Sequence, residues 1–172
     1  MSRVRVDEPA PGISIAQPEV GHRYSSDAFW LAGFAIECSP ERTPVRVLDM
    51  GTGSGIIGAL LAAEGMEVIG IGSMVEWEPL WAKTLAESRA LRTLTLRVGD
   101  VRHPPSGPFD LVVANPPFYP AGAGRVPGNP WRAAARTESS APLAVWLEAA
   151  RAVLTPSGSA CLVLPSQRME EA

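Results

Sequence analysis

The chain has 172 residues, enough for one domain around a single core. Its 46% apolar and 19% charged residues give the balance of an ordinary globular domain, and a net charge of −3 excludes any general attraction to nucleic acid, so such contact needs a local basic patch. No apolar run reaches membrane-spanning length, and Met1-Ser2-Arg3-Val4-Arg5 lacks the apolar stretch of a signal peptide, which points by default to the cytoplasm.

In chain order, residues 1–12 are polar and Pro-containing and read as mobile, and Ile13 to Gln17 as a short extended segment. Ser25-Ser26-Asp27 offers an N-cap before Phe29, Ala32, Gly33 and Ile36, which recur at helical spacing. Ser39-Pro40-Glu41-Arg42-Thr43-Pro44 breaks that helix and leads into the main fold. This divides the chain into an N-terminal lead-in segment and helix (residues 1–44) and a main domain (residues 45–172).

The main domain alternates. Strands are expected over Val45–Leu48, Val68–Val75, Leu94–Val98, Leu111–Ala114 and Ala160–Leu164, and helices over Ile56–Ala63, Trp77–Leu91 and Ala141–Leu154. Asn115 to about Arg136 reads as a long Gly/Pro loop. Strands alternating with helices imply an α/β fold, a mostly parallel twisted sheet with helices on both faces, which binds ligands outside the carboxyl ends of its strands. Cys38 and Cys161 lack metal-ligand spacing and read as buried thiols; no metal site is expected.

Three stretches carry chemistry. The first is Asp49-Met50-Gly51-Thr52-Gly53-Ser54-Gly55. A strand ends, glycines turn the backbone, and a helix begins with its N–H groups facing the turn. Gly53 to Gly58 matches G-x-G-x-x-G, a weak signal alone, but Asp49 would repel a diphosphate while suiting the ammonium of a methionine. The D-x-G-x-G-x-G order resembles the first motif of class I methyltransferases, which implies a Rossmann-like fold and S-adenosylmethionine held by Asp49, Gly51, Thr52, Gly53 and Gly55.

The second is the pair of further acids. A nucleoside cofactor needs an acceptor for its ribose hydroxyls at the end of the second strand. Gly72 occupies the simple position, whereas Glu76-x-x-Pro79-x-x-Ala82 continues into the helix as related sequences do, so Glu76 is the candidate, against a plain helix N-terminal acid. Asp100 ends the third strand and resembles the acid that accepts from the cofactor's adenine amino group; a solvated turn aspartate is the alternative.

The third is Asn115-Pro116-Pro117-Phe118, after the fourth strand. An aromatic amine is a poor nucleophile because its lone pair is delocalised. The Asn115 side-chain oxygen and the Pro116 carbonyl can accept both amine hydrogens and aim the lone pair at a sulfonium methyl, so catalysis is positioning and electrostatics. Pro117 stiffens the backbone and Phe118 can stack on the base. The run resembles the N/D-P-P-Y/F/W signature of amino-group methyltransferases, which implies that Asn115 also lines the cofactor site.

The segment Gln17 to Ala32, Asn115 to Tyr119 followed by Gly122, and Ala135-Arg136-Thr137-Glu138 together resemble the tRNA1(Val) (adenine37-N6)-methyltransferase family, over about Ile13 to Arg168. That resemblance implies N6 methylation of adenine in RNA, with tRNA as partner. It also implies a cofactor site near Arg23, Tyr24, Ser25 and Asp27; a surface arginine or a phosphate contact is the alternative for Arg23, and His22 reads as a bystander. Tyr119, Arg125, Arg132 and Arg136 would meet substrate, the arginines at its phosphates. Family members continue beyond the fifth strand with a helix and an antiparallel strand pair. Here the chain stops at Ala172, as a fragment, a shortened homologue, or a chain whose fifth-strand edge a second copy or a partner covers. Amino methylation of rRNA guanine, DNA adenine or protein glutamine, a cofactor-binding homologue without turnover, and a nicotinamide-binding domain are the competing readings.

Overall fold

The structure is a computed structural model that describes residues 3–20, 23–41, 43–116 and 141–171. A two-stranded antiparallel hairpin, β1 (Val4–Ala10) and β2 (Ile13–Pro18), precedes α1 (Ser26–Glu37). Then follow β3 (Arg46–Met50), α2 (Ile56–Ala63), β4 (Glu67–Gly72), α3 (Glu78–Glu87), β5 (Leu94–Val98), β6 (Phe109–Ala114), α4 (Leu143–Val153) and β7 (Leu154–Leu162). The five strands β3 to β7 form one parallel sheet in the order β5-β4-β3-β6-β7. Among the described residues no helix is long and apolar enough to cross a membrane.

The central strands have little choice of environment. Val47-Leu48-Asp49-Met50 and all of Phe109–Ala114 are buried, as strands covered by helices on both faces must be. Alternation along β3 and β6 sends Val47, Leu111 and Val113 toward α1 and α2, and Leu48, Met50 and Val112 toward α4. Helix α4 meets that second face with Leu143, Trp146, Ala149, Ala150 and Val153, the spacing of one helical stripe.

Strand order places the site. From β3 the chain winds outward through β4 to β5, then returns to β6 on the other side of β3. The crevice between the carboxyl ends of β3 and β6 is therefore the topological switch point, where sheets of this kind bind ligands.

Several elements differ from the sequence expectation. Residues 4–10 form β1, although residues 1–12 read as mobile; the strand is held by main-chain pairing with β2 and buries little, so no hydrophobic pattern betrays it. The second sheet strand ends at Gly72, three residues before the expected Val75, because Ser73 and Met74 lead into a single 3-10 turn over Val75–Trp77. Helix α3 ends at Glu87 rather than Leu91. The Thr155-Pro156-Ser157-Gly158 turn survives as a register jump: Leu154 pairs with Phe109, and Ser159 already with Leu111.

The hairpin docks through side chains as well as backbone. The Ala16 N–H donates to Thr84 Oγ1 at 2.9 Å and the Ser14 N–H to Ser88 Oγ at 2.8 Å. Two hydroxyls four residues apart, Thr84 on α3 and Ser88 at its C-cap, thus satisfy backbone that β2 presents away from β1.

Candidate active site at the switch point

Met50 pairs with Ala114 across β3 and β6, so the next residues, Gly51 and Asn115, leave neighbouring strands side by side, roughly 5 Å apart by ordinary strand spacing. The glycine loop and the start of the Asn-Pro-Pro-Phe run therefore flank one crevice. Asn115 is half-buried and Pro116 buried. Pro117, Phe118, Tyr119, Arg125, Arg132 and Arg136 lie outside the described residues, as does His22.

Gly51, Gly53 and Gly55 all have positive φ, at +71°, +52° and +84°, a region that L side chains rarely adopt. Two of them also meet crowded neighbours: a Cβ at Gly51 would lie 2.6 Å from the Trp146 ring, and one at Gly55 2.8 Å from Leu96. At Gly53 the nearest atom would be the Gly51 carbonyl at 3.9 Å. The loop is thus closed toward the core and open beside Gly53, a cradle in which a ligand can lie against the main chain.

Asp49 acts inside this loop. Its side chain is fully buried, and Oδ2 accepts the Thr52 hydroxyl at 2.6 Å and the Gly58 N–H at 3.1 Å. The Thr52 N–H donates to the Ile71 carbonyl of β4 at 2.9 Å, which ties the loop to the next strand. Oδ1 is buried without a hydrogen-bond partner among the described residues. Burial pushes the carboxyl up to about 6, with the Thr52 and Gly58 bonds holding it back. Oδ1, buried without a partner, leaves the carboxylate one acceptor short, which fits a cationic group bound at the loop, while Oδ2 sets the loop's shape.

The other acids sit along the same edge. Gly72, not Glu76, ends the second strand; a Cβ there would be 3.4 Å from the Trp81 ring, so indole packing fills the place next to the strand end. Glu76 lies four residues on, exposed, in the 3-10 turn. Asp100 follows β5 and accepts from the Arg102 N–H and Nε at 2.9 and 3.0 Å, and also from its Nη2. These Arg102 bonds hold the Asp100 carboxyl below its usual range. Asp100 is thus engaged already, and an adenine amino group would share it with Arg102.

The segment before α1 is organised by the hairpin. Gln17, buried, donates to Asp7 and accepts the Tyr24 N–H at 3.4 Å; Arg23 lies 3.8 Å from the same Asp7 carboxylate. The Tyr24 ring meets Phe29 edge-on, with centroids 5.9 Å apart. Ser25 is the N-cap of α1 by position, but its hydroxyl donates to Asp27 at 3.1 Å and makes no cap bond. These contacts of Arg23, Tyr24, Ser25 and Asp27 run to the hairpin and α1. Sequence reasoning missed the Asp7–Gln17 pair, whose signal was a glutamine directly after the apolar Ile15-Ala16 pair.

A doubly wound parallel sheet with an acid-glycine loop at its switch point defines a class I methyltransferase fold. The chain belongs to the methyltransferase small domain family, whose profile matches residues 32–171. It is 35% identical over 130 residues to the tRNA1(Val) (adenine(37)-N6)-methyltransferase of Aeromonas salmonicida, covering 73% of this chain and 54% of that one. It is 41% identical over 80 residues to the release factor glutamine methyltransferase of Rhodospirillum rubrum, covering 44% of this chain and 24% of that protein. The crystal structure of an S-adenosylmethionine-dependent methyltransferase from Agrobacterium tumefaciens superposes with a TM-score of 0.63 at 16% identity, over 96% of this chain and 54% of its own. The chain spans about half the length of the Aeromonas relative.

Proposed function

We propose that this domain transfers the methyl group of S-adenosylmethionine to the exocyclic N6 amine of an adenine in RNA, with tRNA as the carrier. The observation that carries the reading is the Met50–Ala114 pairing, which brings the glycine cradle and Asn115 to one crevice. The cofactor, when bound, supplies an electrophilic methyl on a sulfonium. The chain's own part is to hold and aim. Main chain at Gly51, Gly53 and Gly55 receives the methionine end, with Thr52 and Asp49 fixing the loop. Glu76 serves the ribose hydroxyls, Asp100 the adenine, and Arg23 to Asp27 close the methionine side. The Asn115 side-chain oxygen and the Pro116 carbonyl accept the two hydrogens of the target amine, which leaves its lone pair directed at the methyl carbon. Phe118 stacks on the base, and Tyr119, Arg125, Arg132 and Arg136 contact the RNA.

The test is methyl transfer from labelled S-adenosylmethionine to bulk tRNA, followed by nucleoside analysis. Label in N6-methyladenosine supports the reading, and label in another nucleoside moves the target. A second reading is methylation of a protein glutamine amide, favoured by the 41% identity with the release factor enzyme. Incorporation into a release factor, with none into tRNA, would decide for it.

A further inference from the structure

Trp81 stands on α3, outside the loop, yet its indole N–H donates to the Gly53 carbonyl at 2.8 Å. The ring is 2% exposed, packs with Ala16, Trp77 and Leu80, and lies over Gly72 at the end of β4. One side chain therefore touches both the tip of the glycine loop and the strand end beside it.

Gly53 is the glycine whose flank is open, and at φ +52° it has the freedom to flip the peptide that follows. A buried indole N–H needs an acceptor, and among the described residues the one it finds is the Gly53 carbonyl. The bond fixes the plane of the Gly53–Ser54 peptide. Core packing would be served by any large apolar residue at position 81; the N–H to Gly53 is what tryptophan adds.

We propose that Trp81 is a positioning residue for cofactor binding: through the Gly53 carbonyl it holds the loop in its ligand-ready shape before the ligand arrives. This rests on the S-adenosylmethionine reading given above. Without the bond the loop samples other peptide orientations, and binding must select the competent fraction.

The test compares wild type, Trp81→Phe and Leu80→Val by calorimetric titration with S-adenosylmethionine. Phe keeps an aromatic ring, smaller than the indole, and loses the donor; Leu80→Val controls for the lost packing without touching the loop. The expected result is a Kd raised about tenfold in Trp81→Phe, the size of one lost hydrogen bond, and unchanged in Leu80→Val even where both melt earlier. Amide exchange at Ser54 and Gly55 in the ligand-free protein should quicken in Trp81→Phe alone. In wild type, the Trp81 indole proton should exchange more slowly once the cofactor is added, a readout that needs no variant to fold. Equal affinity in wild type and Trp81→Phe, or equal loss in Leu80→Val, would overturn the positioning role and leave the cofactor reading standing. Absence of binding by wild type would overturn the cofactor reading itself and this role with it.

Discussion

Asp49 and Thr52 are joined by a 2.6 Å hydrogen bond in a fully buried position, and the same carboxylate oxygen also receives the Gly58 N–H from the first turn of α2. One acid thus sets strand end, loop and helix start together. Its raised pKa fixes the sign of a pH effect. The unfolded carboxyl ionises near 3.8, the folded one near 6. The folded state holds the proton more tightly, so the associated stability is fully present below about pH 4 and is lost as pH rises through 6. A shift of this size corresponds to about 3 kcal/mol. Asp49→Asn keeps an acceptor and removes the charge, and should flatten the pH dependence of urea unfolding between pH 4 and 7. Parallel profiles for the two proteins would show that Asp49 is not the titrating group.

Asp49→Ala has a different outcome. It strips the Thr52 hydroxyl and the Gly58 N–H of their partner, so it should lower stability by about 2–4 kcal/mol and abolish binding of S-adenosylmethionine. Chemical denaturation and calorimetry measure the two separately. Unchanged affinity would remove Asp49 from the site.

Gly51→Ala tests the crowded side of the loop. The new Cβ would sit 2.6 Å from the Trp146 ring at φ +71°, so packing and backbone oppose it together. A loss of about 2–4 kcal/mol is expected, larger than at Gly53, where only the backbone objects. Equal losses at the two positions would mean that Trp146 yields freely.

How much of this was legible beforehand follows from burial. β3, α2 and β6 were readable because their apolar runs have nowhere to go but between layers. β1 was not, since its residues remain largely exposed and it is held by main-chain pairing and the polar contacts of Asp7 rather than by an apolar pattern. The end of β4 was misplaced because Ile71 and Val75 look like one apolar run, and nothing in that run announces the 3-10 turn. In the site, Asp49 and the glycines stood out by spacing. Which oxygen of Asp49 is occupied, and that Trp81 reaches back to Gly53, are properties of three elements packed together and leave no mark in a single stretch.

Cys161 is buried in β7, and burial together with the neighbouring Cys38 pushes its thiol up to about 11. At pH 8 the thiolate that reacts is therefore scarce. Maleimide labelling of Cys161 should be at least tenfold slower in native protein than in urea, read by mass spectrometry of the labelled peptides. Rapid native labelling would mean that β7 opens readily at the sheet edge.

Asn115→Ala should retain affinity for S-adenosylmethionine and lose most methyl transfer, by about 100-fold or more, because its oxygen is assigned to the target amine and not to the cofactor. Titration and single-turnover transfer to tRNA separate the two effects. Near-normal turnover on an accepted substrate would refute the proposed arrangement of Asn115 and Pro116.

The ribose acceptor gives the last prediction. A nucleoside cofactor needs an acceptor for its ribose hydroxyls near the end of the second strand, and here that place is Gly72, with Trp81 packed over it. A Cβ at Gly72 would meet the Trp81 ring at 3.4 and 3.5 Å, ordinary contact, so Gly72→Ala should fold and bind normally. Glu76 is exposed, so Glu76→Gln should leave stability within about 0.5 kcal/mol. If its carboxylate accepts the ribose hydroxyls, the same change should weaken S-adenosylmethionine binding about tenfold, since a charged acceptor has been replaced by a neutral one. A cofactor analogue lacking both ribose hydroxyls should bind the two proteins equally. Undiminished affinity in Glu76→Gln would mean that the hydroxyls find their acceptor elsewhere on the edge between β4 and β5.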